Sequence, residues 1–537
     1  MKTHPKQLFL LLLLFLVGCN DPDVLHSNLI MPGDLTISQP LETNKVTLTW
    51  SDQNSQIDGF LVSYKPLGAE EYIPIETVSA EVRTYTIEQK LEVGQSYYFA
   101  VEAVQGSDYS YPATALLKVI NADENKGVSI VGSFVSHAGV AVKYMPVNLF
   151  PSENKYHGLE VSLAADKDAE VLLDVPAPED WRDQKSCLQM IPITRLPKDQ
   201  AKIYIRAYSK GDQTAYYSPK VEVTMAAQPD AIKLEWNEIT PEELKGKVQL
   251  FKTTSQLNGR PFNAWYAVGN PETTRIKRND PMYNTPLAQQ AALLGSKALV
   301  LVNGSYYYQS ITLGIYGHNG LKGTNDLLRG SLKSDHPEYD VRYDAMRGFF
   351  GVTKEGDAKV YWGGMDKGTP RLYEHPQPVL IGEAKYAGYA PEIVGAPVEW
   401  VPYYGLSGGP IVLKEGNVLV DFEQFKEGDE YYLGNFELIP YDIFGKNVAV
   451  DRTAVGVMDD GRIVLFVCDG RIPESKGANL IELAQIMKGI GCVDALNLDG
   501  GGSTNMWAAG AIVNHKDIVP GTDDTRAIRS IIGFFDK

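Results

Sequence analysis

Two aspartates near the C-terminal end of the sequence directly follow apolar runs. Asp469 follows Ile463–Cys468, and Asp499 follows Val493–Leu498 and opens the string Asp-Gly-Gly-Gly-Ser-Thr. A carboxylate in such a position can activate water or stabilise a developing positive charge. Consecutive glycines can turn through positive φ and present backbone N–H groups to an anion. In a structural alternative, these N–H groups only satisfy Asp499, and Asp469 begins a simple turn.

The segment between the two aspartates predicts the element that positions them. Asn479 can cap a helix, and Glu482 can complete a capping box before an apolar helical face that ends at a glycine. If the flanking strands are parallel neighbours, as a strand–helix–strand unit requires, their carboxyl ends share one edge of a sheet. We therefore expect Asp469 and Asp499 to face the same crevice.

Alternating strand and helix signals begin at about residue 235 and continue to the end of the sequence. A helix is expected over 286–294, with Thr285 as its cap and Pro286 in its first turn. Residues 297–302 are predicted to form a buried strand that delivers Asn303-Gly304-Ser305-Tyr306-Tyr307. We therefore predict one large α/β or α+β domain over residues 235–537.

Several motifs of this domain match one family. Asn497–Thr504 resembles the signature of the phosphodiester glycosidase domain family, which includes the mannose-6-phosphate uncovering enzyme. Val302–Tyr307 resembles a second family element, with Ser305 where Gly is usual and Tyr307 where Phe is usual. Further elements follow in the family's order, over roughly residues 250–535 in all: Leu406–Pro410 with Lys414–Gly416, Arg452–Gly456, Phe466–Gly470 and Arg526.

The resemblance implies hydrolysis of a sugar-1-phosphodiester, such as an N-acetylglucosamine-1-phosphodiester, on a glycan or wall polymer. The phosphate monoester that remains has a second pKa of about 6 and is a good leaving group. The reaction needs a carboxylate for the sugar or water, and cations or N–H groups for the phosphate. Asp499, Asp469 and Arg452 are the candidate catalytic residues, and Arg452 with Arg526 would clamp the phosphate. The candidate substrate-binding residues are Asn303, Gly304, Ser407, Gly408, Gly500, Gly501, Gly502, Ser503, Thr504 and Arg526.

Several alternatives remain open. A bound phosphate repels a carboxylate, so Asp499 faces the sugar, is protonated, or shares a Ca²⁺ or Mg²⁺ ion with the phosphate. No other cofactor is indicated. Arg452 could instead form a structural ion pair with Asp469. The rival function is a surface lipoprotein that binds phosphorylated glycan without turnover.

Two all-β modules are predicted before this domain. Residues 32–120 contain short strands with alternating apolar positions. The spacing of a fibronectin type III tyrosine corner is matched by Leu91, Gly94, Tyr97, Phe99 and Val101. Residues 126–228 repeat the pattern less regularly, which indicates a second, divergent β-sandwich. The modules are expected to be either spacers or glycan- or protein-binding units.

The N-terminus is similar to a bacterial lipoprotein leader. Its apolar run is too short to span a membrane, and Leu16-Val17-Gly18-Cys19 resembles the lipoprotein cleavage box. That resemblance implies a leader over 1–18, acylation of Cys19 and a tether over 19–31. We therefore expect a lipid anchor in the cell envelope of a bacterium, at the periplasmic face or the cell surface. The alternative is an ordinary cleaved leader with an incidental cysteine.

Charge and cysteine content narrow the class of protein. The formal charge is −17, so most of the surface would repel nucleic acid, and an anionic substrate must meet a local cluster of arginines or N–H groups. Three cysteines follow Cys19, an odd number that excludes a full disulfide framework. Of these three, Cys468 and Cys492 are expected to be buried free thiols.

Overall fold

The computed structural model describes the chain with gaps, over residues 29–38, 45–89, 91–92, 95–119, 126–149, 152–177, 187–323, 346–366, 368–376, 395–422, 424–425, 431–432, 434, 436–437 and 447–537. The predicted leader, Cys19 and residues 19–28 of the predicted tether lie outside the described residues. The chain divides into two compact units, Met1–Lys126 and Gly127–Lys537. In the described part of the chain, no helix has both the length and the apolarity needed to cross a membrane.

The first unit consists of two antiparallel sheets. Its strands are β1 (Gly33–Ser38), β2 (Thr47–Ser51), β3 (Gly59–Pro66), β4 (Ile73–Ser79), β5 (Thr84–Thr86), β6 (Ser96–Gln105), β7 (Asp108–Tyr109) and β8 (Ala113–Lys118). One sheet has the order β1-β2-β5, and the other has the order β4-β3-β6-β7 with β8 beside β6. The Tyr97 hydroxyl accepts the Glu92 N–H at 3.1 Å, which is the type of bond that defines a tyrosine corner. Gly94 of the predicted corner lies outside the described residues.

The second unit begins with two further antiparallel sheets around one apolar core. The strands are β9 (Gly127–Ser136), β10 (Gly139–Val147), β11 (Tyr156–Ser162), β12 (Leu173–Pro176), β13 (Cys187–Pro192), β14 (Lys202–Lys210), β15 (Ala215–Tyr217) and β16 (Val221–Thr224), and a 3₁₀ turn follows at Ile193–Arg195. The orders are β13-β10-β9 and β12-β11-β14-β15, with β16 beside β14. Val140, Leu159 and Ile203 lie in the shared core.

The remainder of the second unit carries most of the strands. They are β17 (Asn237–Glu238), β18 (Val248–Leu257), β19 (Arg260–Gly269), β20 (Thr274–Asn279), β21 (Ala298–Asn303), β22 (Tyr307–Tyr308), β23 (Ile311–Thr312), β24 (Ile315–His318), β25 (Leu321–Gly323), β26 (Arg347–Val352), β27 (Ala358–Asp366), β28 (Thr369–Tyr373), β29 (Tyr404–Ser407), β30 (Ile411–Lys414), β31 (Asn417–Val418), β32 (Gln424–Phe425), β33 (Tyr431–Tyr432), β34 (Arg452–Met458), β35 (Ile463–Cys468), β36 (Cys492–Asn497), β37 (Met506–Ala508), β38 (Ala511–Ile512) and β39 (Ile531–Asp536). The helices are α1 (Leu287–Leu294) and α2 (Leu480–Ile490), with 3₁₀ turns at Glu242–Leu244, Gly295–Lys297 and Gly501–Ser503.

Three larger sheets build this C-terminal domain. An eight-stranded sheet has the order β17-β18-β19-β35-β34-β36-β30-β31, a five-stranded sheet has the order β20-β39-β21-β37-β38, and a six-stranded sheet has the order β25-β24-β29-β26-β27-β28. The described strand pairs are antiparallel. The predicted α/β or α+β class is therefore not confirmed, because the described part of the domain is mostly antiparallel β-sheet.

The prediction that β35 and β36 are neighbours is wrong. β34 lies between them and is antiparallel to both. Two strands that are antiparallel to the same strand run in the same direction, so β35 and β36 are parallel to each other. Their carboxyl ends therefore still meet at one edge of the sheet, where β34 begins.

Helix α2 covers one face of the eight-stranded sheet. Leu483 and Met487 pack there in a core with Phe466, while the alternate residues of β35, such as Leu465, face a second core on the opposite side. The predicted capping box is confirmed, since Asn479 and Glu482 each accept the other's backbone N–H at 2.8 and 2.9 Å.

The start of helix α1 differs from the prediction. The helix begins at Leu287, and Pro286 precedes it without a side-chain cap. The Thr285 hydroxyl donates to the Tyr283 carbonyl at 2.8 Å instead of capping the helix. Cys468 and Cys492 are buried free thiols, as expected, and Cys187 is also buried.

Candidate active site

Three aspartates leave neighbouring strands at one edge of the eight-stranded sheet. Asp469 follows β35, Asp499 lies two residues beyond β36, and Asp451 precedes β34, which pairs with both strands. The topology therefore places Asp469 and Asp499 at a common edge, as expected from the sequence, and adds Asp451 to them.

Asp499 lies where β36 meets the glycines. Its Oδ1 accepts the Gly500 N–H at 3.0 Å, and its carbonyl oxygen accepts Nδ2 of Asn303 at 2.6 Å. Burial raises the pKa of Asp499 to about 6, although the Ser503 hydroxyl, the Gly500 N–H and Arg526 oppose the shift. A carboxylate with a pKa near neutrality can take up and release a proton at physiological pH, which acid–base catalysis requires.

The consecutive glycines form a tight turn. Gly501 has a φ of 62°, and a Cβ atom on Gly500 would lie 2.9 Å from the Asp451 carbonyl oxygen. The Gly501 N–H donates to that carbonyl at 3.1 Å, and the Thr504 N–H donates to the Gly501 carbonyl at 2.9 Å. Together with the bond between Gly500 and Asp499, these contacts favour the structural alternative for the N–H groups of this turn.

Two guanidinium groups lie against the bare backbone of the turn. A Cβ atom on Gly502 would lie 2.6 Å from Nη2 of Arg526, and one on Gly501 would lie 3.6 Å from Nη2 of Arg471. An Asp517 carboxylate oxygen lies 3.9 Å from Nη2 of Arg471. The absence of side chains on the glycines lets both guanidinium groups approach, and an Asp517 carboxylate oxygen lies 3.0 Å from the same Cβ position on Gly502. The turn therefore presents guanidinium N–H donors to a ligand anion, next to acidic partners.

Arg471 is a candidate that the sequence analysis missed. Its Nε donates to Asp451 at 2.7 Å, and half of its side chain (51%) remains exposed. Its backbone has a positive φ of 59°, which turns the chain directly after Asp469-Gly470. Its position was the available signal, because a residue two positions after Asp469 lies at the same sheet edge.

Arg452 is placed differently from Arg526, which is exposed. The Arg452 side chain is buried. Its Nε donates to the Ala478 carbonyl at 3.0 Å, and its Nη2 donates to the Val448 carbonyl at 3.2 Å. The salt bridges of the described residues do not include one between Arg452 and Asp469. These contacts favour a structural role for Arg452 over a phosphate clamp, through carbonyl groups rather than the ion pair considered above.

Asp469 holds the loop that follows β38. It is 3% exposed, and its Oδ1 accepts Nδ2 of Asn514 at 3.1 Å and the His515 N–H at 3.0 Å. Burial raises the pKa of Asp469, and these two donors oppose the shift. Asn514 also donates to the Thr504 carbonyl at 3.2 Å. Asp469 therefore joins the glycine turn to the loop that carries Asp517.

The segment after β21 supports Asp499 from the five-stranded sheet. Oδ1 of Asn303 accepts the Thr453 hydroxyl at 2.7 Å, and the Gly304 carbonyl accepts the Asp499 N–H at 3.1 Å. A Cβ atom on Gly304 would lie 2.6 Å from Oγ of Ser530. Both residues are therefore engaged within the protein, next to the backbone of Asp499.

The glycine element before β30 closes on the end of β36. The Gly409 carbonyl accepts the Tyr306 hydroxyl at 2.9 Å and Nδ2 of Asn497 at 2.8 Å. A Cβ atom on Gly408 would lie 2.2 Å from the Asn497 carbonyl oxygen. Ser407 accepts a backbone N–H of β24 at 3.0 Å. Three of the sequence motifs thus meet around the start of the Asp499 turn.

A buried glutamate that the sequence analysis did not select lies behind this junction. Glu437 accepts the Gly348 N–H at 2.8 Å and the Ile411 N–H at 2.7 Å. Burial raises the pKa of Glu437 to about 7, although both N–H groups oppose the shift. It ties β26 to β30, and no local pattern around it indicated this role.

Polar atoms without partners surround the same junction. Oγ of Ser305, Oδ1 of Asn497 and Oδ1 of Asn505 are buried and have no hydrogen-bond partner among the described residues. Buried polar atoms are normally paired, so these three are positions where a buried water could complete the hydrogen bonding. The Ser503 side chain is also buried, and the Thr504 hydroxyl lies 3.4 Å from that of Thr453.

The donor set does not fit a divalent ion. In the described part of the chain, no group of three or more His, Cys, Asp or Glu side chains is placed to hold one. Oδ1 of Asp469 and Oδ1 of Asn303 already accept protein hydrogen bonds. The described side chains therefore give no support to a Ca²⁺ or Mg²⁺ ion shared between Asp499 and a phosphate.

Comparison with known proteins assigns two segments of the chain. The phosphodiester glycosidase family matches residues 296–535, and the fibronectin type III domain family matches residues 31–116. N-acetylglucosamine-1-phosphodiester alpha-N-acetylglucosaminidase of Mus musculus is 35% identical over 111 residues, which are 20% of this chain and 20% of that protein. The Homo sapiens protein of the same name is 34% identical over 111 residues, with the same coverage. The chain thus spans about a fifth of the length of these relatives.

A solved structure is also similar. The zebrafish N-acetylglucosamine-1-phosphodiester alpha-N-acetylglucosaminidase catalytic domain, auto-inhibited by its pro-peptide, covers 58% of this chain and 92% of its own, with 18% identity and a TM-score of 0.35. The fibronectin type III match does not include residues 126–228, whose likeness to that fold remains a prediction. The chain therefore carries a C-terminal domain of the phosphodiester glycosidase family behind an N-terminal fibronectin type III domain.

Proposed function

We propose that the C-terminal domain hydrolyses sugar-1-phosphodiesters and leaves a phosphate monoester, with N-acetylglucosamine-1-phosphodiesters as the first substrates to test. One observation carries this proposal. Asp499, whose pKa burial raises to about 6, lies beside a glycine turn that Arg471 and Arg526 flank. The names of the relatives describe that reaction for those proteins. A glycan or wall polymer is the proposed source of the diester.

The two guanidinium groups would bind the phosphate. Arg471 and Arg526 can each donate two N–H groups to its oxygens, and the glycine backbone lets the phosphate approach between them. Their positive charge also offsets the repulsion between the phosphate and Asp499. The sugar then lies toward Asp499, which agrees with the first of the three arrangements considered from the sequence.

Asp499 would act as the carboxylate of the reaction. The bond between the anomeric carbon and the phosphate oxygen breaks, and its electron pair stays on the phosphate. Water adds to the anomeric carbon, and its proton passes to Asp499 and then to solvent. The departing phosphate monoester needs no strong acid, because its second pKa is about 6. Asp469 and Arg452 would act as positioning residues through the loop and strand that they hold.

The envelope location is a separate proposal. The leader-like segment and the Cys19 cleavage box support a lipid anchor, from which the N-terminal modules would space the enzyme. Growth with a labelled fatty acid should label the wild-type protein and leave the Cys19→Ala variant unlabelled. Equal labelling of both proteins would refute the anchor.

The reaction is tested with Asp499→Asn and methyl N-acetylglucosamine-1-phosphate. We expect kcat to fall by about 10²- to 10⁴-fold, because the amide can neither accept the proton of water nor carry a negative charge. The Kd for a non-hydrolysable analogue should change by less than about threefold. Asp523→Asn, an exposed carboxylate in the loop before Arg526, is the matched control and should keep wild-type turnover.

The phosphate clamp is tested in the same assay with Arg526→Gln. The KM should rise by about 10- to 100-fold, because the variant loses the guanidinium group that donates hydrogen bonds to the phosphate. Lys516→Gln, at an exposed position, is the control. Tight binding of a panel of sugar-1-phosphodiesters with no product from the wild-type protein would refute hydrolysis. That result would establish the phosphoglycan-binding rival.

A further inference from the structure

A groove opens at the opposite edge of the eight-stranded sheet. Two adjoining pockets of about 290 and 380 Å³ share Gly269, Pro271 and Arg462. Arg462 directly precedes β35, whereas Asp469 directly follows it, and a strand of six residues is about 20 Å long. The groove is therefore separate from the candidate active site.

The groove concentrates positive charge on an acidic protein. Its basic lining residues are Lys245, Lys247, Arg275, Lys277, Lys354, Arg462 and Lys537, and its acidic ones are Glu238 and Glu355. The whole chain has a formal charge of −17, so this cluster opposes the general trend. Cations gathered in a cleft attract anions more strongly than the same cations spread over a surface.

Part of this charge is unpaired. Lys245, Lys247 and Arg462 each form a salt bridge with an acid outside the groove lining. The salt bridges of the described residues include neither Arg275 nor Lys354, and both side chains are exposed. These two cations can therefore bind a ligand anion without breaking an existing pair.

Aromatic and apolar surfaces lie between the cations. Tyr403 and Tyr404 line the first pocket, with ring centroids 4.8 Å apart and planes at 81°. Val352 and Phe534 lie in the same lining. Flat rings with polar hydroxyl groups pack against sugar faces and bond their hydroxyl groups, whereas a bare inorganic anion gains little from them.

We propose that this groove binds a glycan chain that carries several negative charges, as phosphate or carboxylate groups. Two connected pockets lined by cations suit a polymer better than a single small anion. The inference rests on the proposed function in one respect, since it makes the groove a second holding point for the polymer that is cleaved at Asp499. Binding here would raise the local concentration of the polymer without contact with the reacting atoms.

The groove is tested with Arg275→Glu combined with Lys354→Glu in the otherwise intact chain. Lys322→Glu combined with Lys359→Glu, two exposed lysines outside the groove, is the matched control. The probes are a sugar–phosphate polymer, a polyuronate, neutral dextran and inorganic polyphosphate, with Kd measured at one fixed salt concentration. The groove variant should bind a charged glycan at least about tenfold more weakly, and the control should change by less than about twofold.

The phosphate and uronate probes show which anion the groove prefers. Equal losses in both variants, dextran binding as tight as that of the charged glycans, or polyphosphate binding as tight as either charged glycan would overturn the proposal. If the Arg275→Glu and Lys354→Glu variant has a lower unfolding midpoint than the wild type, the neutral variant Arg275→Gln with Lys354→Gln is used in its place. Turnover of the small methyl diester is measured in parallel and should be unchanged in the groove variant. A wild-type protein that binds the polymer but cleaves no diester would refute the proposed reaction alone.

Discussion

Asp499 differs from the two other aspartates at its sheet edge in the partners of its carboxylate. Asp451 accepts the Gly470 N–H and the Arg471 guanidinium, and Asp469 accepts two donors from the loop after β38. Burial raises the pKa of Asp499, and the groups that oppose this rise belong mainly to its own turn. The resulting pKa is about 6. At the residue scale, this difference in partners supports Asp499, rather than Asp451 or Asp469, as the proposed reacting carboxylate.

The pH dependence of turnover follows from that pKa. Because Asp499 must be ionised to act on water, kcat/KM should rise with pH through about 6 and level off above about 7. A bound phosphate diester adds negative charge nearby, so the corresponding limb of kcat should lie at higher pH. Initial rates between pH 4.5 and 8.5 measure both profiles. A flat wild-type profile across pH 6 would exclude Asp499 as this base.

Stability provides a control on the same group. Burial raises the native pKa of Asp499 above its unfolded value, so its ionisation destabilises the native state, and this cost appears as pH rises through the interval between the two values. Asp499→Asn removes the cost. We expect the variant to gain about 2 kcal/mol in free energy of unfolding at pH 8 relative to wild type, and much less at pH 4. A pH-independent difference would contradict the assigned pKa.

At the scale of elements, the site depends on how closely the glycine element approaches β36. Gly408 lies against the Asn497 carbonyl, and the Gly409 carbonyl accepts hydrogen bonds from Asn497 and Tyr306. No larger residue fits at position 408 unless one backbone moves away from the other. The spacing between these two backbones therefore fixes where the turn of Asp499 begins.

Gly408→Ala tests this approach. Its Cβ atom would lie 2.2 Å from the Asn497 carbonyl oxygen, so the strand end must shift. We expect a loss of about 2 kcal/mol or more in free energy of unfolding, together with reduced turnover. Gly132→Ala is the control, because nothing lies within 4 Å of its added Cβ. Chemical denaturation measures the free energy of unfolding of both variants. If Gly408→Ala is as stable as the wild type, the two backbones do not approach as closely as described.

At the scale of the whole molecule, the second β-sandwich and the C-terminal domain lie within one compact unit and contact each other. The Gln228 side chain accepts the Val418 N–H at 2.8 Å and donates to the His137 carbonyl at 2.5 Å. The connecting segment packs on α2, where the Ile232 N–H donates to the Gln485 carbonyl at 2.9 Å. The sandwich is therefore a structural neighbour of the domain as well as a spacer candidate.

Two fragments test this dependence. Residues 127–537 should turn over the small diester like the full chain, since they retain the whole second unit. Residues 235–537 lack Gln228 and Ile232, so their thermal midpoint should fall by several degrees through lost hydrogen bonds and lost packing on α2. Calorimetry and diester turnover of both fragments are the measurements. Equal midpoints would make the sandwich dispensable for stability.

Features that depend on near neighbours in the chain could be predicted from local sequence patterns. The capping box of Asn479 and Glu482 acts over three residues, and the tyrosine-corner bond of Tyr97 reaches back only five. The common edge of Asp469 and Asp499 also followed from the sequence, because a helix between two strands returns the chain in the same direction.

The pairing of segments that are far apart in the chain could not be predicted in this way. β34 enters between β35 and β36, and the domain is mostly antiparallel, because strand pairing joins segments that no local pattern connects. The same holds for the arginines. Arg452 is buried against carbonyl groups while Arg471 stays exposed beside the glycine turn, since packing across the fold decides which guanidinium meets solvent.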